Sequence, residues 1–117
     1  MRARHASALL AICLAGCGAQ PPQAPTAYAN RVASALEGIT LACGENAQQR
    51  ALPQFGPPSR APESEAAERA LELAHVVKHN PAWVYQGSTL EEVAASAAER
   101  LHECGLGAAA RPLRRRG

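Results

Sequence analysis

The 117-residue chain predicts an all-α fold, a small up-down-up three-helix bundle with one disulfide. Three observations lead there. Apolar residues recur at three- and four-residue steps in three separate segments, the period of a helix with one buried face. Each of those segments is followed by a stop signal: Gly44, Asn80-Pro81 and Gly105. Aromatic residues are confined to Tyr28, Phe55, Trp83 and Tyr85 in an alanine-rich chain, a composition from which a sheet is hard to build.

The first helix is expected from Thr26 to Cys43, with Tyr28, Val32, Leu36, Ile39 and Cys43 on one face and Gly44 ending it. The second runs from Pro62 to His79, buried through Ala66, Ala70, Leu73, Ala74 and Val77. Pro81 stops it, because a proline disfavours helical geometry at the residue before it. The third is expected from Ser88 to Cys104. Ser88-Thr89-Leu90-Glu91 reads as a capping box, Ser88 accepting from orphan amides while Glu91 reaches back. Its stripe is Leu90, Val93, Ala94, Ala97, Leu101 and Cys104, and Gly105 closes it. Leu52 to Ala61 carries Pro53, Gly56, Pro57 and Pro58 and is expected to be an irregular loop; Pro81 to Gly87 is a shorter connection.

Parallel first and third helices put Cys43 and Cys104 at the same end of the bundle. Each lies about sixteen residues from its helix start, or roughly 24 Å along the axis, and each falls on the apolar face. The pairing Cys43–Cys104 is therefore expected to be structural. Closing a loop of about sixty residues contributes on the order of 4 kcal/mol in the chain-entropy model, a large share of what a small alanine-rich core provides. A redox role is disfavoured, since the chain has no Cys-x-x-Cys.

Residues 1–17 have the form of an export signal. Met1-Arg2-Ala3-Arg4-His5 is a positive start, and Ala6 to Ala15 is an apolar run of about ten residues, too short to span a bilayer. Leu14-Ala15-Gly16-Cys17 then resembles the lipobox of bacterial lipoproteins. That resemblance implies a signal peptide over 1–16, acylation of Cys17 and a membrane partner through covalent lipid. It also implies an extracytoplasmic location, on the outer membrane where the source has two membranes, because Gly18 stands where Asp would favour inner-membrane retention. Competing readings are ordinary cleavage after Ala19, giving a soluble secreted protein, and a cytosolic protein with a chance apolar start. Gln20 to Thr26 holds three prolines and is expected to be an extended spacer outside the core. The domains are accordingly a lipidated tether over 17–26, a helical domain over 27–106 and a basic disordered tail over 107–117.

Charge narrows the partners. Of 12 basic side chains, Arg2 and Arg4 fall in the signal and Arg111, Arg114, Arg115 and Arg116 in the tail. Six remain in the body against ten glutamates. An acidic body with a basic tail is not the footprint of a nucleic-acid-binding domain, so no nucleic acid is expected. The tail arginines suit anionic headgroups or cell-wall polymers, or simply form a solvated end.

Two Glu-x-x-His pairs, Glu72/His75 and Glu99/His102, echo the ligands of di-iron bundles. Helical geometry turns them away from the core: Glu68, Glu72, His75 and His79 lie about 180° from the Ala70/Leu73/Val77 face. They read instead as a solvated acidic face with pairs such as Glu65–Arg69. His75 and His79, one turn apart, retain a weak alternative as a surface metal chelate. No cofactor and no catalytic constellation are expected. Trp83 and Tyr85 either close one end of the bundle or form an aromatic anchor for a partner. The sequence thus reads as a non-enzymatic envelope accessory acting through another envelope protein or a wall component. The alternative is a lipoprotein that binds metal or a small ligand through His75 and His79.

Overall fold

A computed structural model of the chain describes residues 22–51 and 60–114. The domain is mostly helical, with α1 over Thr26–Ala51, α2 over Ala61–His79, α3 over Leu90–Glu103 and a short α4 over Arg111–Arg114. A 3₁₀ turn over Gly107–Ala110 leads into α4, and a two-stranded hairpin, β1 Val84–Tyr85 and β2 Ser88–Thr89, leads into α3. The expected signal peptide, Cys17 and most of the Leu52–Ala61 loop lie outside the described residues.

The core is built from small side chains. Ala35, Ala42, Ala66, Ala70, Ala94, Ala97, Ala98 and Ala110 are buried around Ile39, Leu73, Leu90, Leu101 and Leu113. Such residues let helices pack closely, and at Gly38 the packing leaves no room for a side chain. A Cβ there would lie 2.5–2.7 Å from Nε, Cγ and Cδ of Arg69, so the arginine stem crosses α1 where no side chain stands. Arg69 is fixed in that position by Glu65 at 2.8 Å and Glu72 at 3.3 Å, four and three residues away on α2. These pairs realise the expected Glu65–Arg69 contact, and they explain a buried glycine in the middle of a long helix.

Helix α1 does not stop at Gly44. It continues to Ala51, because its last turns have a partner: Asn46 Nδ2 and Arg50 Nη1 donate to the Cys104 carbonyl at 2.9 and 3.2 Å. That carbonyl belongs to the end of α3, where acceptors lack helical partners. Gly105 does end its helix. Its φ is +88°, its N–H donates to the His102 carbonyl, and the Leu106 N–H donates to Leu101. This is a Schellman closure, with buried Leu106 packed at the site of its hydrophobic contact.

The start of α3 is displaced by one residue from expectation. The cap is Thr89, not Ser88: Thr89 Oγ1 accepts from Glu92 N at 3.2 Å, and Glu92 Oε1 accepts from Thr89 N at 2.9 Å. Ser88 is instead paired with Tyr85 in the hairpin, and Val84 with Thr89. Gln86 and Gly87, at φ +50° and +85°, form its two-residue turn with both residues in the left-handed region. The Pro81–Gly87 connection is therefore regular in its second half.

Two further expectations are corrected. The Pro-rich segment is not wholly a spacer, because Gln23 bridges Val84 in parallel. Val84 N donates to the Pro22 carbonyl and Ala24 N to the Val84 carbonyl, both at 2.9 Å. Pro22 only has to accept there, so the missing proline N–H costs nothing. The tail beyond residue 106 is not disordered over its described part. Ala110 and Leu113 are buried against α2 and α3, while Arg111 and Arg114 stay exposed. Ala110 and Leu113, three positions apart, anchor the segment.

Candidate interaction surface

The disulfide joins Cys43 to Cys104 across 61 residues, with Cα atoms 5.4 Å apart, in the ordinary range for a bridge. Cys43 is buried and Cys104 half-buried. Together with the Asn46 and Arg50 bonds to the Cys104 carbonyl, it ties the C-terminal part of α1 to the end of α3. At the other extreme of α1, the Gln23–Val84 bridge ties the entering chain to the hairpin before α3. The two helices are thus linked at two places along the chain.

The hairpin end gathers the aromatic side chains of the described residues. Tyr28 lies 5.0 Å from Trp83, centroid to centroid, and 5.5 Å from His79. Arg31 sits over the Tyr28 ring at 5.9 Å, within cation–π range. Each aromatic has a structural reason for its place. Asn80 Oδ1 accepts from Ala82 N, and the Asn80 carbonyl accepts from Trp83 N at 3.1 Å. That turn swings Trp83 back towards α1. The Trp83 carbonyl then accepts from Leu90 N at 2.8 Å, and the Pro81 carbonyl from Glu91 N at 3.0 Å. The aromatic turn therefore satisfies the first free amides of α3. Trp83 and Tyr85 are half-buried and pack against the core, so each ring has one side on the domain and one towards solvent.

His75 and His79 project from the outer face of α2, both exposed, with ring centroids 5.9 Å apart. His79 reaches the Tyr28 cluster; His75 faces a shallow depression shared with Arg31, Glu68, Arg69, Leu71 and Glu72. No group of three or more His, Cys, Asp or Glu residues suited to a metal ion occurs among the described residues. Glu99 and His102 are likewise exposed, whereas Glu72 is half-buried and bonded to Arg69. The hydrogen bond and charge of Glu65, with a smaller contribution from Glu72, hold the Arg69 guanidinium above its usual pKa. Arg69 therefore stays cationic beside the depression.

Among the described residues, Leu41 and Leu71 are the large apolar side chains left exposed. No helix among the described residues is long and apolar enough to cross a membrane. Comparison with known proteins gives no matching family model, no matching curated protein and no matching solved structure.

What the sequence did not indicate is Tyr28 as the centre of this cluster. It was legible only as a core residue of the first helix. Its companions come from the end of α2 and the following turn, more than fifty positions later, and no local pattern connects them.

Proposed function

We propose that this chain is a lipid-anchored accessory protein of a bacterial envelope, held at the membrane by acylated Cys17. In this reading α1, α2 and α3 form an up-down-up bundle that acts on another envelope protein or a wall component without catalysing a reaction. The observation that carries it is the docking of Pro22–Ala24 on Val84. A domain whose entering segment is fixed to its own hairpin, five positions after a lipobox-like cysteine, suits a short mechanical tether. The extracytoplasmic placement also suits the Cys43–Cys104 bridge, since disulfides persist in oxidising compartments.

The test is the Cys17→Ser variant expressed in a bacterial host beside the unaltered chain. The unaltered protein is expected in the membrane fraction with incorporated fatty acid, and the variant to lose both. Equal membrane retention of the two overturns the anchor.

One observation favours a second reading: His75 and His79 stand next to each other on an open helix face. In that reading the chain binds a transition metal or small ligand there. Titration with zinc or nickel separates the two. Stoichiometric binding abolished by His75→Ala supports the second, and weak binding insensitive to that change supports the first.

A further inference from the structure

We infer that the end of the domain carrying Trp83, Tyr85 and Tyr28 lies against the lipid surface, with the disulfide end pointing away from it. The inference rests on the proposed acylation of Cys17 and adds an orientation to it. From Cys17 to Pro22 there are five residue steps, spanning at most about 18 Å when fully extended. The chain is then pinned to Val84, between Trp83 and Tyr85. A lipid on Cys17 cannot let this end travel further from the headgroups than that. By contrast, Cys43 is seventeen residues along α1 from Thr26, or about 26 Å further by helical rise.

The chemistry of this end matches a lipid surface. Trp and Tyr favour the membrane–water boundary, where an apolar ring and a polar edge are both satisfied. Here both residues of the turn, and Tyr28 behind them, are half-buried with open edges. Arg31 on α1 and Lys78 at the end of α2 are matched in number by Glu91 and Glu92, which begin α3. The contact is therefore led by aromatic rings and tether length, and a zwitterionic surface suffices for it.

Trp83 is the single tryptophan of the chain, which makes its fluorescence a direct reporter. The membrane-extracted full-length mature protein is reconstituted in phosphatidylcholine vesicles, with or without bromine near the glycerol end of the acyl chains. Flotation and intact mass are recorded on the same sample. The expected result is an acylated, floating protein whose Trp83 emission is lost in brominated vesicles and is shielded from aqueous iodide. A companion chain with ten Gly/Ser residues inserted after Cys17 is expected to float equally and to recover part of the emission. Floating, acylated protein with unquenched Trp83 overturns the orientation and leaves the anchor standing. Protein that neither floats nor carries acyl mass overturns both.

Discussion

Gly44 and Gly105 each directly follow a cysteine of the bridge, and their backbones make opposite demands. Gly105 sits at φ +88°, where a Cβ would run into Arg50 Nη1. Gly44 lies within α1 in open space, with nothing within 4 Å of a Cβ. Gly105→Ala is expected to lower the unfolding free energy by about 1–2 kcal/mol, the cost of a left-handed L-residue. Gly44→Ala is expected to raise it by about 0.5–1 kcal/mol through helix propensity. Urea denaturation of both variants beside the parent checks the pair, and a loss of stability in Gly44→Ala would contradict the account of α1. The two glycines read alike in sequence. What separates them is Asn46 and Arg50 reaching a carbonyl nearly sixty positions away. Likewise, Ser88-Thr89-Leu90-Glu91-Glu92 offers two overlapping capping boxes, and hairpin pairing of Ser88 with Tyr85 selects the second.

At the scale of elements, α2 was the most legible. Its stripe and the Asn80-Pro81 stop place its ends within one residue of those observed, because both signals are local. The segment after Gly105 was the least legible. Its arginines suggested a solvated tail, while Ala110 and Leu113 carry it into the core. Leu113→Ala is therefore expected to destabilise the domain by about 2–4 kcal/mol, the usual cost of emptying a buried leucine site. Arg114→Ala, at an exposed position, should change stability by less than about 0.5 kcal/mol. Thermal unfolding of the two variants distinguishes a docked segment from a free one, which would leave both unchanged.

For the whole molecule, the alanine-rich core and the bridge share the work of stability. The position of the disulfide was readable because two coordinates agreed, distance along the helix and face. The Tyr28–Trp83–His79 cluster was not, since it depends on the turn made by Asn80 and on the return of Pro22–Ala24 to Val84. Opening the 61-residue loop by Cys43→Ala/Cys104→Ala is expected to cost on the order of 4 kcal/mol. A calorimetric scan would register it as a large drop in Tm, and an unchanged Tm would show the small core to be sufficient alone. The bridge ties α1 to the end of α3, and the Gln23–Val84 pairing ties the chain entering α1 to the hairpin before α3.

The most direct measurement is the intact mass of the membrane-extracted protein, taken before and after reduction and alkylation. A chain beginning at acylated Cys17, alkylated only after reduction and then only at Cys43 and Cys104, is the result expected of a tethered, bridged domain. A lipid-free chain beginning at Gln20, or thiols that alkylate without reduction, would contradict it.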